Sequence, residues 1–501
     1  MSEMDGASRN FSFNHLAFVI LVVGVVLTAF NVYDFIGGLK DESVNNTLKE
    51  LNGDCDYEKP KVWIHAKNME TGYLKHVKSV FGRLGFSFGD NTSDWDVLWS
   101  HEYPFKELKS MLKGMMPHQK VNHFPGCGFI TNKVSLSTSG STHIPKTFKL
   151  PENKNELMEF AQLNPEILFV QKSNSHRGIK VEKLDTMNLD SSQNFVQQYI
   201  SKPYLIDGYK FDIGVYTILT SIDPLRVYVY SGDVLFRFCP EKYYPFDSEI
   251  VNKYVVGDDY LPIWNVPSLK NYYNNLGLSM KDSFDAYLNS IGKAPEKVWN
   301  QVYEAIANIY LLKEPYLIES TSHYKNSLNF FEMVRIDFII DEDLNVFIME
   351  ANMSPNLSSA HFPPNQLLYE QVIYNLMSLV GIGTRIQKFG LHHSPDDVEE
   401  MQVSFKNLAV EASRCSKKIC SSCLAPQCLI CKPCLTSNTI EILKNAYLEH
   451  ENRLSTRRVF PPPMNTTTRR ADIDLEKLSP ENQLMYHWFQ GKCKMDVTWC
   501  S

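Results

Sequence analysis

The sequence lacks an excess of basic residues, and this absence excludes one broad class of function. Its 501 residues include 50 Lys and Arg against 57 Asp and Glu, for a formal net charge of −7. General nucleic-acid binding relies on clustered positive charge that neutralises phosphates, so we expect no nucleic-acid partner. Hydrophobic residues make up 44% of the chain, which excludes wholesale disorder and allows several folded domains.

Charge is missing altogether from one segment near the amino terminus. No Asp, Glu, Lys or Arg occurs from Asn10 to Tyr33. About 20 apolar residues in a helix match the hydrocarbon thickness of a bilayer. After a short tail at 1–15, we therefore predict a transmembrane signal anchor at 16–36, with a cleaved signal peptide and a buried core helix as alternatives.

Cysteine is scarce in most of the chain and concentrated at its end. Six cysteines fall between Cys415 and Cys434, and Cys493 and Cys500 follow. If the body of the protein is cytosolic, thiols stay reduced, and the two C-x2-C pairs predict Zn²⁺ at Cys420, Cys423, Cys428 and Cys431. If the body is lumenal, the same eight cysteines predict four disulfides. The sequence leaves both alternatives open.

Between these ends, the pattern predicts a mixed α/β (α+β) fold without internal repeats. A polar stalk at 37–60 leads into a small α/β module at 61–150, with strands at 61–65 and 96–99 around a helix at 72–84. Strand-like runs and a helix at 295–311 follow, and an apolar helix at 366–380 ends at Gly381. The region 387–501 is Cys-rich.

The most informative local pattern is RIDFIIDEDLNVFIMEANMSPNL at 335–357. Two strand runs joined by an acidic turn predict a β-hairpin. Asp337 lies on an otherwise apolar strand, and Glu350 and Asn352 share one face of the next strand. Carboxylate and amide oxygens are ligands that Mg²⁺ prefers when it is held jointly with nucleotide phosphates. An edge hairpin with polar faces is the alternative. Upstream, Lys172 enters a loop of small residues that could cover phosphates.

Several motifs together resemble the catalytic domain of the tubulin tyrosine ligase-like family. They are NHFPGCGFITNKVSL at 122–136, VQQYI at 196–200, DGYKFDIGVY at 207–216 and the hairpin above. Their order and spacing cover about residues 95–385. The resemblance implies an ATP-grasp domain at 151–386 that forms an acyl-phosphate on a protein carboxylate and then an amide bond to an amino acid. It implies ATP and Mg²⁺ as cofactors, and tubulin and glutamate as partners, as in the polyglutamylating members.

The resemblance also assigns site residues, position by position. Those assigned to the nucleotide are Lys133, Lys172, Arg177, Gly178, Gln197, Gln198, Tyr199, Ile200, Lys210 and Asp212. Those assigned to Mg²⁺ are Asp337, Glu350 and Asn352, and those assigned to catalysis are Arg237, Lys210 and Glu350.

The chain departs from the family pattern at three places. The family's K-F-D-x-R has an arginine where this chain has Gly214, its H-L-T-N motif is absent from residues 252–262, and Arg177-Gly178 lacks the second glycine of R-G-x-G. A catalytically weakened ATP-binding protein is therefore an alternative to a working ligase.

The topology of the predicted anchor is a further open point. Few charges flank residues 16–36, so the positive-inside rule does not discriminate between orientations. Sequons at Asn45, Asn91 and Asn465 favour a lumenal body, in the endoplasmic reticulum or Golgi. The alternative function is then a lumenal ligase that acts on a non-tubulin acceptor. The family resemblance favours a cytosolic body.

Overall fold

The computed structural model describes residues 59–173, 180–187, 189–190, 194–383, 401–464 and 474–501, together with Gly24, Val26 and Thr28. The predicted anchor at 16–36 otherwise lies outside these residues. Among the residues that are described, no helix has both the length and the apolar character needed to cross a membrane.

The first sheet forms the small amino-terminal module. Its strands are β1 (Lys61–His65), β2 (Ser87–Gly89), β3 (Val97–Ser100) and β4 (Lys120–Val121). They pair in parallel in the order β2-β1-β3-β4. Helix α1 (Lys75–Arg83) packs the buried side chains of Val77 and Phe81 into the same core. The predicted strand–helix–strand pattern of this module is thus confirmed.

A second, antiparallel sheet carries part of the predicted nucleotide segment. It is built from β5 (Thr147–Lys149), β6 (Phe169–Ser173), β7 (Lys180–Glu182) and β8 (Asn194–Gln198), in the order β5-β8-β6-β7. Its apolar core consists of side chains such as Phe148, Phe169 and Val196. The sheet therefore places Lys172 and Gln197 on adjacent strands.

The largest sheet has seven strands, and the predicted hairpin forms part of it. They are β9 (Tyr209–Ile222), β10 (Leu225–Tyr230), β11 (Leu235–Lys242), β12 (Leu261–Pro262), β13 (Glu332–Ile340), β14 (Val346–Asn352) and β15 (Thr456–Phe460). Along one path the order is β12-β11-β9-β10-β15, and β13 pairs with both β9 and β14. The antiparallel β13–β14 pair confirms the hairpin prediction. Strand β9 lies between β11 and β13, so charged residues from three strands meet there.

Helices of very different lengths accompany the sheets. Besides α1 they are α2 (Lys109–Leu112), α3 (Gly128–Thr131), α4 (Lys133–Ser137), α5 (Lys154–Leu163), α6 (Pro267–Lys270), α7 (Met280–Ser290), α8 (Glu296–Thr321) and α9 (Asn365–Leu379). Helix α8 is longer than predicted and continues through Pro315. An interior proline costs a helix about 3 kcal/mol, and continued burial of Leu317 and Thr321 offsets that cost. Helix α9 ends as predicted, with Gly381 at a φ of 76°.

The Cys-rich region is attached to the largest sheet. It contains α10 (Phe405–Leu408), α11 (Ala412–Cys415), α12 (Ser437–Glu451) and α13 (Pro480–Met495), and its strand β15 pairs with β10. A buried ion pair reinforces this attachment: Arg226 on β10 donates to both carboxylate oxygens of Glu449 on α12, at 2.8 and 2.9 Å. Tyr228 donates to the same carboxylate at 3.1 Å.

The eight tail cysteines form four disulfides, so zinc is not supported. The pairs are Cys415–Cys431, Cys420–Cys428, Cys423–Cys434 and Cys493–Cys500. The four cysteines predicted as zinc ligands are divided among three of these bridges. A sulfur bonded to a second sulfur is not a thiolate and cannot bind Zn²⁺ in the predicted way. Of the two alternatives, the structure has the disulfides.

Candidate functional site

Strands β9, β11 and β13 bring the predicted charged residues together. The register places Arg237 of β11 opposite Asp212 of β9, and Asp337 of β13 opposite Gly214 of β9. Arg237 donates from Nε to Asp212 Oδ1 at 2.9 Å and from Nη2 to Asp212 Oδ2 at 2.8 Å. Its Nη2 also donates to Asp337 Oδ2 at 2.9 Å. One guanidinium therefore bridges two carboxylates that would otherwise repel each other.

Asp337 accepts hydrogen bonds from a second guanidinium, that of Arg335 on its own strand. Arg335 donates from Nε to Oδ1 at 2.7 Å and from Nη2 to Oδ2 at 2.8 Å. Asn352 adds a donation from Nδ2 to Oδ2 at 3.2 Å. Burial alone would raise the pKa of Asp337, but the guanidinium groups of Arg335 and Arg237 lower it.

This arrangement is a test of whether the predicted Mg²⁺ ligands fit a metal. An ionised carboxylate offers about two acceptor positions on each oxygen. Of the donations that Asp337 receives from Arg335, Arg237 and Asn352, three reach Oδ2 and one reaches Oδ1, so a metal bond would have to be made by Oδ1. Glu350 fits better, because its side chain is 33% exposed and its Oε2 lies 3.6 Å from Lys133 Nζ. Asn352 is adjacent, with Nδ2 3.3 Å from Glu350 Oε1. Glu350 and Asn352 are the pair that could hold Mg²⁺ beside a phosphate.

Three lysines belong to the predicted nucleotide site, and one of them, Lys133, lies 3.6 Å from Glu350. Lys133 begins α4, whose start is fixed by Asn132, because the Asn132 side chain accepts from two backbone N–H groups of the first turn. Lys172 on β6 donates to Gln197 Oε1 on β8 at 2.8 Å. Lys210 on β9 is buried and donates to the backbone carbonyl of Tyr254 at 2.7 Å. The Tyr254 carbonyl belongs to residues 252–262, where the family motif is absent, so this segment still contacts the site.

The surroundings of Lys172 shift its pKa. Burial lowers its pKa to about 8, in spite of the Glu350 carboxylate, and the ammonium groups of Lys133 and Lys210 lower it further. Burial also lowers the pKa of Lys210. A cluster of desolvated ammonium groups is stabilised by an incoming polyanion, which suits a triphosphate.

The pKa of Lys172 predicts a pH dependence of nucleotide binding. As pH rises through about 8, the ammonium loses its proton, so the affinity for ATP should fall by up to about tenfold per pH unit. The Lys172→Arg variant keeps its charge and should show a shallower decline. Calorimetric titration with ATP between about pH 7 and about pH 9.5 measures the affinities of the wild type and of the variant. Equal declines in the two proteins would contradict the assignment of Lys172 to the phosphates.

The predicted adenine segment runs along and beyond β8. Gln197 is held between Lys172 and Thr147, to which its Nε2 donates at 2.9 Å.

Gln198 is the last residue of β8, and Tyr199 and Ile200 follow it. The Tyr199 ring lies within 5.7 Å of the Phe246 ring, centroid to centroid, and its hydroxyl is 3.0 Å from that of Tyr243. Arg177 and Gly178 lie outside the described residues.

A buried His–Cys–Glu cluster lies close to this site without having the properties of a metal centre. His123, Cys127 and Glu332 place their ligand atoms within 4.8 Å of one another. Both ring nitrogens of His123 are already engaged, Nδ1 with Glu332 Oε1 at 2.8 Å and Nε2 with the Ser100 carbonyl at 2.9 Å. Glu332 Oε2 also accepts from the backbone N–H of Phe124 at 2.9 Å. The cluster ties the NHFPG motif to β13.

Arg335 is the site residue that the sequence reasoning missed. Alternation along β13 puts Arg335 and Asp337 on one face, and a basic residue inside an otherwise apolar strand is costly unless an acid pairs with it. The hairpin prediction identified Asp337 by that argument. The same argument, applied two residues earlier, would have identified its partner.

Comparison with known proteins gives a family match and several relatives. Residues 110–388 match the model of the "Tubulin-tyrosine ligase family". "Probable tubulin polyglutamylase ttll-15" of Caenorhabditis elegans is 42% identical over 448 residues, which cover 87% of this chain and 85% of that protein. "Tubulin monoglutamylase TTLL4" of Homo sapiens is 28% identical over 328 residues, which cover 61% of this chain and 26% of that protein. "Tubulin polyglutamylase TTLL6" of Mus musculus is 26% identical over 365 residues, or 68% and 43% of the two chains.

Proposed function

Because the chain belongs to the tubulin-tyrosine ligase family, we propose that it is an ATP- and Mg²⁺-dependent ligase that joins glutamate to a side-chain carboxylate of tubulin. The observation that carries the proposal is the convergence of Lys133, Lys172 and Glu350 beside the Arg237 network. A triphosphate requires cations that neutralise its charge, and its Mg²⁺ requires oxygen ligands such as a carboxylate.

The family relationship implies two chemical steps through an acyl-phosphate. An oxygen of the acceptor carboxylate attacks the γ-phosphorus of ATP, the bond to the β-phosphate oxygen breaks, and ADP leaves. The amine of glutamate then attacks the acyl carbon, phosphate leaves with the bonding electrons, and the nitrogen loses a proton as the amide forms. Negative charge builds up on the transferring phosphoryl group in the first step.

The chain's own residues act on that charge. Lys133 and Lys172 would hold the phosphates, and Arg237 would neutralise negative charge near the acceptor. Glu350 and Asn352 would hold Mg²⁺, which supplies further neutralisation of the phosphates when bound. Gln197 orients Lys172 through its 2.8 Å hydrogen bond. Asp212 fixes the guanidinium plane of Arg237 through two hydrogen bonds.

A direct assay tests the proposal. Purified protein with tubulin, ATP, Mg²⁺ and labelled glutamate should incorporate label into tubulin, and Glu350→Gln should lower the rate by about 10²-fold or more. Omission of ATP is the background control. If the wild type binds ATP yet does not exceed Glu350→Gln, the ligase proposal fails and the catalytically weakened ATP-binding alternative replaces it.

The four disulfides favour a second candidate, a lumenal ligase whose acceptor is not tubulin. Disulfides persist in oxidising compartments and are rare in the cytosol. With the anchor proposed at 16–36, a lumenal body would separate the site from cytosolic tubulin. The family relationship supports the cytosolic body instead, so the acceptor depends on the topology.

Topology can be measured through the cysteines themselves. For a lumenal body, we expect the four disulfides to be formed. A maleimide polymer added to the denatured, unreduced protein should then label none of their eight cysteines. Reduction should then add eight adducts. Cys127 and Cys239, buried free thiols, should react in both samples once the protein is denatured and so provide an internal control. Equal adduct numbers before and after reduction would contradict the lumenal candidate. Protease protection of a tag after Ser501 in intact membranes provides an independent measurement.

A further inference from the structure

The residue opposite Asp337 on β9 is a glycine, and its missing side chain leaves room for a neighbour. A Cβ built on Gly214 would lie 2.9 Å from Cδ and 3.3 Å from Nε of Arg335, and 3.2 Å from Asp337 Oδ1. The side chain of Arg335 therefore passes directly over the Cα of Gly214. Arg335 is only 6% exposed and bonds both oxygens of Asp337, so it cannot readily move away.

We propose that Arg335 supplies from β13 the cation that the K-F-D-x-R pattern would supply from position 214 on β9, and that the two positions act as one unit. This inference rests on the proposed function and names a positioning residue for it. Arg335 acts through Asp337 and, by sharing that carboxylate, through Arg237. Glycine at 214 then leaves the space that the Arg335 side chain occupies, so its presence does not indicate a lost activity.

Charge explains why one cation is needed here. Arg237 and Arg335 together balance Asp212 and Asp337, so the four groups carry no net charge. Without Arg335 the group would carry one negative charge, close to where negative charge builds up during phosphoryl transfer. Removal of one preorganised cation from such a site costs about 10²–10³ in rate. An arginine at 214 with a glycine at 335 would restore neutrality from the other strand.

A set of variants at the two positions tests this. Arg335→Gly should lower kcat about 10²-fold with a smaller effect on KM for ATP, since the phosphate lysines are unchanged. Gly214→Arg should also lose activity and unfold at a lower temperature, because its side chain collides with Arg335. The double variant Gly214→Arg/Arg335→Gly should recover kcat to within about tenfold of the wild type. Arg335→Lys, which keeps the charge but loses the two-point bond, should be intermediate.

The matched control is Gly214→Ala/Arg335→Gly, which removes the collision without restoring a guanidinium. It should stay as inactive as Arg335→Gly. The proposal is overturned if the arginine-bearing double variant is no more active than this control while both fold and bind ATP. It is also overturned if Arg335→Gly keeps the wild-type kcat.

Failure of the proposed function would be recognised separately. If the wild type itself does not ligate, the readout becomes the midpoint of thermal unfolding, measured for the wild type, the two single variants Gly214→Arg and Arg335→Gly, and their double variant. If the double variant unfolds at a higher temperature than the sum of the two single changes predicts, the result supports the proposal that the two positions act as one unit. If the two decreases in the midpoint simply add, the proposal is overturned.

Discussion

Replacement of Arg237 by glutamine is expected to lower the rate of ligation about 10²–10³-fold, because a preorganised cation is lost from a site where negative charge develops. Arg237 is the only group of the network, within the described residues, that bonds both Asp212 and Asp337. Glutamine keeps one donor and removes the charge. The rate is measured as glutamate incorporation at saturating ATP.

The loss should appear in kcat more than in the affinity for ATP. Lys133 pairs with Glu350, Lys172 interacts electrostatically with the same carboxylate, and both lysines are unchanged by the substitution. Arg83→Gln is a suitable control, because Arg83 is 64% exposed and its ion pair among the described residues is with Glu370, outside the site. Exposed ion pairs contribute about 0–1 kcal/mol, so that variant should behave as the wild type. A wild-type kcat in Arg237→Gln would remove Arg237 from the mechanism.

The sequence predicted local features of the site well, because strand alternation is a short-range property. Glu350 and Asn352 were placed on one face of a strand, and the two are in contact at 3.3 Å. The pairing of that strand with β13 followed from the acidic turn between them. Resemblance to a family assigned Lys133 and Lys172 to the phosphates, which stays a prediction, and the family itself is confirmed.

What could not be predicted depends on contacts between distant parts of the chain. Strand β15 joins the largest sheet although more than 200 residues separate it from β10, and no local pattern specifies that pairing. The partners of the tail cysteines depend on three-dimensional proximity, so spacing alone left zinc and disulfides open. The sequence alone indicates a missing cation at Gly214, because Arg335 is far away along the sequence and adjacent only across β9 and β13.

Replacement of Glu449 by leucine is expected to lower the free energy of unfolding by about 3–5 kcal/mol, because it leaves a buried arginine without its partner. Arg226 has no exposed surface, and Glu449 is the carboxylate that it bonds at two points. Tyr228 loses its acceptor in the same variant. Equilibrium denaturation in urea measures the change.

A double variant separates the cost of an unpaired charge from the value of the pair. Arg226→Met/Glu449→Leu should recover most of the loss, since a buried ion pair is often close in stability to an apolar pair of similar volume. Glu342→Gln is the surface control: it removes a pair with Lys202 whose side chains are 56% and 70% exposed, and should change stability by less than about 1 kcal/mol. Because Arg226 lies on β10 and Glu449 on α12, the single variant should destabilise the largest sheet and the Cys-rich region in one transition. Two separate transitions, with the sheet unaffected, would show that the ion pair does not couple them.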